Sequence, residues 1–146
     1  DPASAELSRA MQTLTPAQTF QVVAYNQQLS AHAEVLVPAT AENKTLAQKY
    51  MAGIVAHGQT EHQMALLAAL RNKPEVIYVF TDGGEPGLTQ PQLQLITRRA
   101  DRKTVIHCVQ FGFGPLQEED PFLRKLARLN GGSFAYVDVS QRTGQR

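Results

Sequence analysis

The chain has 146 residues, 42% hydrophobic and 18% charged, with a net charge of +1. That is one domain's worth of sequence, long enough to bury a core. It is too apolar for a disordered chain, and it lacks the basic surplus that marks nucleic-acid or anionic-membrane binding. One cysteine, Cys108, excludes an internal disulfide framework and a multi-cysteine zinc site and leaves the redox compartment open. No apolar run approaches the roughly 18 residues that cross a bilayer, and no signal peptide is visible at the first residues. An anchor or signal in a longer parent protein would lie outside this sequence, so the compartment is not assigned.

Asp1-Pro2 reads as a helix start, with Leu7, Ala10, Met11 and Leu14 at helical spacing behind it. Phe20 to Tyr25 reads as a strand and Glu34 to Val37 as a second, stopped by Pro38; a short polar connection predicts an antiparallel hairpin. Thr40 caps the next helix, whose apolar stripe is Leu46, Tyr50, Met51 and Ile54. His57-Gly58-Gln59 is a loop. Thr60 to Leu70 is a further helix, with Met64, Leu67 and Ala68 predicted to face inward.

Glu75 to Phe80 is apolar at nearly every position, the pattern of a strand covered on both faces in a parallel or mixed sheet. It runs into the polar, glycine-rich stretch Thr81-Asp82-Gly83-Gly84-Glu85-Pro86-Gly87. Thr89 with Gln92 has capping-box spacing and opens a helix containing Leu93, Ile96 and Ala100. Arg98, Arg99, Arg102 and Lys103, interrupted by Asp101, read as a solvated helix face. Thr104 to Val109 is the next buried strand, broken by Gly112, Gly114 and Pro115. Asp120-Pro121 repeats the opening signal, with Asp120 as the cap, and Phe122, Leu123, Leu126 and Leu129 line that helix. Asn130-Gly131-Gly132 predicts a left-handed cap, and Ser133 to Val137 is the last strand. The second half therefore alternates helix and strand, the mark of a three-layer α/β/α sandwich around a doubly wound, mostly parallel, Rossmann-like sheet with one antiparallel edge strand.

Ligands in such sheets sit beyond the carboxyl ends of the strands, which is where Asp82, Gly83 and Gly84 fall. Asp82 suits either a ligand-binding acid or a turn residue bonded to its own loop amides. Thr60 suits either a metal-ligating hydroxyl or a helix cap paired with Gln63. The histidines form no metal set. His57 and His62 are five apart, and His107 and Cys108 are strand neighbours that point to opposite faces. His107 reads as a satisfied sheet histidine, Cys108 as core packing, and no catalytic residue is assigned.

Several segments together resemble a bacterial von Willebrand factor type A domain: Leu14 to Asn26, Val37 to Asn43, His57-Gly58-Gln59-Thr60, Val76 to Gly83, Ile106 to Gly112, Phe122 to Ala127 and Asn130-Gly131-Gly132. The resemblance covers residues 1–138, leaving 139–146 as a polar tail. It implies a non-catalytic protein-interaction or adhesion module, with Thr60 and Asp82 as metal-ligand positions and Gln59, Gly83 and Gly84 at the partner face. The sequence departs from the family pattern in two places. The first strand and its Asp-x-Ser-x-Ser motif are absent, so the domain is expected to be truncated at its N-terminal side, and Gln59 stands where the family has glycine.

With three anchoring side chains missing, no cofactor is expected; Mg2+ or Mn2+ would bind only if the motif were supplied. The missing strand would be a central one. Its neighbours, Phe20–Tyr25 and Glu75–Thr81, then pair directly or a second chain fills the gap as a homodimer. The expected partner is a protein, not a nucleic acid or a membrane. Two other readings stand beside this one: a small doubly wound enzyme acting on a phosphate-bearing ligand through the Asp82 loop, and a purely structural scaffold.

Overall fold

The computed structural model describes residues 2–25, 29–53, 61–84 and 86–140. Helix α1 spans Pro2–Gln12, and strands β1 (Thr19–Phe20), β2 (Val23–Tyr25), β3 (Leu29–Ala31) and β4 (Val37–Pro38) follow. Helices α2 (Ala41–Ala52) and α3 (His62–Leu70) lead into β5 (Val76–Thr81), α4 (Gln90–Ala100), β6 (Val105–Gly112), α5 (Phe122–Leu129) and β7 (Phe134–Asp138). Asp1, Ile54, Gln59 and Thr60, and the tail beyond Ser140, lie outside the described residues.

The three long strands form the parallel sheet β5-β6-β7, with Val79 opposite Cys108 and Cys108 opposite Phe134. Ile77, Val79, Ile106, Cys108 and Phe134 pack on Leu66, Leu93, Ile96, Leu123 and Leu126 of α3, α4 and α5. A second, separate apolar cluster joins Met11, Phe20, Val22, Ala39, Ala47 and Met51 across α1, the hairpin strands and α2. Between them lie polar contacts: the Asn72 amide donates to Gln21 Oε1 at 2.8 Å, and the Tyr25 hydroxyl lies 3.1 Å from His62 Nδ1.

Local signals set the helix ends as expected. Thr40 accepts from the Asn43 amide, and Thr89 and Gln92 exchange the two bonds of a capping box. Gly131 takes φ +70° and the Gly132 amide donates to Ala127 O at 2.9 Å, closing α5 in a Schellman turn. Lys44 Nζ caps the other end of α1, donating to Leu14 O at 2.6 Å. Asp120 departs from its predicted role. The N-cap position of α5 is Pro121, and the Asp120 carboxylate instead receives both guanidinium nitrogens of Arg128 at 3.2 and 3.3 Å.

The predicted hairpin is antiparallel but broken. Phe20 pairs with Val37 and Thr19 with Pro38, so Pro38 belongs to the strand it was expected to stop. Val23–Tyr25 pairs with Leu29–Ala31, which lies within the predicted polar connection, and Glu34 to Leu36 is not strand. The cause is His32. Its ring Nδ1 accepts the Val22 amide at 2.7 Å and its plane stacks on Phe20 at 5.0 Å, so a side chain takes the place of a ladder partner. Burial holds the imidazole pKa below its ordinary 6.5, and protonation would remove the lone pair that Val22 uses. A depressed folded-state pKa gives stability that is full above about pH 6.5 and is lost as pH falls through the window below it. Urea midpoints on either side of that pH are expected to show the loss. His32→Asn, whose amide oxygen can accept the same bond, is expected to flatten it.

Other faces also differ from expectation. Leu46 is exposed and Ala47 takes its place in the core, because α2 turns Ala47 and Met51 toward α1 and the hairpin strands. In α3 the buried residues are His62, Ala65, Leu66 and Leu70; of the predicted Met64, Leu67 and Ala68, Leu67 packs half-buried on the same core, and a helix apolar on all sides carries no finer facing signal. Leu129, at the end of α5, is exposed. β5 is not covered on both faces: Tyr78 is 56% exposed and Val76 is exposed beside it. Nor does β5 pair directly with Phe20–Tyr25, since among the described residues the strands form three separate ladders rather than one continuous sheet.

Candidate functional site at the carboxyl edge of the parallel sheet

The parallel strands end at one edge, in Thr81, Gly112 and Asp138. The Asp82 loop begins there. Asp82 Oδ1 accepts the Gly84 amide at 2.9 Å and Thr81 Oγ1 accepts the Gly83 amide at 3.2 Å, so side chains hold the turn from inside. Gly83 sits at φ +74°, a backbone conformation that favours glycine; the Gln110 side chain on β6 lies within 2.8 Å of where a Cβ would stand. The buried Gln110 Oε1 behind it has no hydrogen-bond partner among the described residues.

Beneath the loop lies His62, 2% exposed at the first turn of α3. Its Nε2 lies 2.8 Å from Gly84 O and its Nδ1 3.1 Å from the Tyr25 hydroxyl. A carbonyl only accepts, so Nε2 carries the proton and donates, leaving Nδ1 to accept from the tyrosine. The ring also touches Phe122 of α5 at 4.9 Å. His62 therefore ties hairpin, loop and α5 together. Burial pushes the Tyr25 hydroxyl up to about 12; the Thr81 side chain opposes that rise, and the Cys108 and Asp82 charges add to it. The phenol stays protonated and available as donor.

Burial also pushes the Cys108 thiol up to about 12, which keeps it an inert core group. His107 faces the other side of the sheet, stacked on Tyr78 at 5.0 Å, with its Nδ1 accepting the Ser133 amide at 3.0 Å. At the same edge as Asp82, Phe113 is 86% exposed on the loop after β6. The Tyr136 hydroxyl donates to Gly114 O at 2.8 Å and the Gly114 amide donates to Asp138 Oδ1 at 2.9 Å, so this aromatic sits on a pinned loop.

Of the residues singled out in the sequence, the structure places Asp82, Gly83 and Gly84 together; Gln59 and Thr60 lie outside the described residues. The N-cap position of α3 falls on Glu61, which makes no side-chain cap bond. Tyr25, His62, Gln110 and Phe113 were missed as site residues. A polar histidine opening the apolar run His62 to Leu70 was the one available hint. Among the described residues no three His, Cys, Asp or Glu side chains converge on a metal position. Among the described residues, Asp82 offers one carboxylate, already bonded to its own loop, and both His62 nitrogens are engaged.

The structure matches a von Willebrand factor type A from Catenulispora acidiphila with a TM-score of 0.78 at 22% identity, over 92% of this chain and 33% of that one. The fold is therefore that of a von Willebrand factor type A domain, with β5-β6-β7 as its parallel part. In sequence, the chain is 30% identical over 142 residues to inter-alpha-trypsin inhibitor heavy chain H4 of Bos taurus and 32% identical to that of Homo sapiens. The alignment takes in 86% of this chain but 15% of each heavy chain, so the chain spans a small part of these relatives. No protein-family model matches it.

Proposed function

We propose that the chain is a non-catalytic protein-interaction module whose partner face is the carboxyl edge of the parallel sheet. The observation that carries this reading is the pairing of a von Willebrand A-type fold with the pinned loops at that edge, which present Asp82 and the exposed Phe113. An exposed aromatic on a pinned loop, at the same sheet edge as a carboxylate, is the composition of an interface anchor. Gly83 and Gly84 line the partner side, and Gln59 is assigned to it from the resemblance alone. Asp82 and Thr60 are the metal positions of an adhesion site left incomplete without an Asp-x-Ser-x-Ser motif. An enzyme acting on a phosphate-bearing ligand would need a nucleophile or base beside Asp82. The inert Cys108 thiol and the doubly bonded His62 supply neither.

Calorimetric titration of Mg2+ and Mn2+ into the chain and into Asp82→Ala tests the metal part. No heat from either protein is expected; binding that Asp82→Ala abolishes would overturn it. The outer edge of β5, unpaired among the described residues, is the docking edge for a second copy. Sedimentation over a range of concentrations tests that, and a monomer throughout would remove the homodimer.

A further inference from the structure

The opposite, amino edge of the parallel sheet has a different character. The turn from α3 to β5 and the turn from α4 to β6 lie side by side there, locked by the Thr104 hydroxyl donating to Pro74 O at 2.6 Å and the Val105 amide donating to Glu75 O at 2.9 Å. These turns and the last turn of α4 carry Arg71, Lys73, Arg98, Arg99, Arg102 and Lys103, all exposed, against only Glu75 and Asp101. A surplus of four positive charges thus sits on one edge of a chain whose net charge is +1. Among the described residues these cations make one ion pair, a 3.8 Å contact between Lys103 and Asp101, both widely exposed.

Helix dipoles account for Arg71, Arg98 and Arg99 at the ends of α3 and α4. They do not account for Lys73, Arg102 and Lys103, which lie beyond the helices, the first two on left-handed backbone at φ 50° and 57°. Beside this edge, the exposed Val76 and Tyr78 of β5 add an apolar margin.

We infer that the amino edge of the sheet is a second docking surface, which takes an acidic protein segment carrying apolar side chains among its carboxylates. This rests on reading the chain as an interaction module and adds a partner class for the edge remote from Asp82. Four of the six cations are arginines, whose planar forks hold carboxylates by paired bonds. The apolar margin on β5 receives the segment's hydrophobic side chains. The aromatic beside the turns, Tyr78, is already stacked on the His107 ring at 5.0 Å, and the turns carry no apolar wedge to enter a bilayer.

The test uses a fluorescent synthetic peptide of alternating glutamate and leucine, titrated with the intact chain and followed by anisotropy at low and at physiological salt. Saturable binding that weakens with salt is expected. The double variant Arg98→Glu with Arg102→Glu, checked for fold by circular dichroism, is expected to weaken it at least about tenfold. A charge-matched control, Arg9→Glu with Lys49→Glu on α1 and α2, is expected to leave it unchanged. Equal loss in both double variants would overturn the inference, as would no binding, or tighter binding of duplex DNA or phosphatidylserine vesicles than of the peptide. The metal and dimer tests read the Asp82 loop and the β5 edge, so each failure is separately visible.

Discussion

Gly132→Ala is expected to destabilise the protein by about 3 kcal/mol, near the upper end of overpacking substitutions, lowering Tm by roughly 10 °C. A Cβ at Gly132 would land on the carbonyl oxygen of Ile106, with the His107 amide also within 3.1 Å. These are backbone atoms of the central strand β6, and Ile106 itself is fully buried against the helices, so nothing flexible can give way. The neighbouring Gly131 provides the contrast. Its φ is +70° but nothing lies within 4 Å of a Cβ there, so Gly131→Ala pays only backbone strain, about 1 kcal/mol. Thermal unfolding of the two variants separates contact from conformation. Equal losses would mean that the close approach to β6 is not what requires glycine at position 132.

His62→Leu is expected to cost about 3 kcal/mol despite the similar size of the side chains. It removes the donor to the half-buried Gly84 carbonyl and one of the two side-chain partners of the half-buried Tyr25 hydroxyl, which keeps Thr81. Tyr25→Phe removes that hydroxyl together with its need for a partner, and is expected to cost about 1 kcal/mol. In the double variant the hydroxyl is gone, so the losses should sum to less than the two singles. Amide shifts of Gly83 and Gly84 should move in His62→Leu if the imidazole holds the Asp82 loop. A full loss of stability with an unmoved loop would make His62 a core residue only.

These expectations mark where the sequence was informative. The caps at Thr40, Thr89 and Gly131 were legible because each is settled within a few residues of backbone geometry. The strands β5, β6 and β7 were legible because their composition suits little else. The hairpin was not, because its break depends on the His32 ring reaching Val22 from ten residues away. Which side of α3 faces the core was also hidden, since an all-apolar helix shows no stripe. The Asp82 turn could be located by its Thr-Asp-Gly-Gly sequence. Its support from His62 and Tyr25 could not, because both partners come from other elements.

The division of the apolar interior has a consequence for how the molecule opens. Leu126, Ile106 and Ile96 anchor one nucleus beneath the parallel sheet, while Met11, Phe20 and Met51 anchor another around ladders two and three residues long. Hydrogen bonds such as Asn72 to Gln21 join the two, and water can replace these at small cost when the halves part. The hairpin half can therefore breathe as its own cooperative unit, with its amides exchanging by partial opening while those of β6 exchange only when the whole chain unfolds. Tyr25 and the Asp82 loop lie on the boundary between these units, so opening of the hairpin half would break the Tyr25–His62 contact while leaving the Phe113 loop tied to β7.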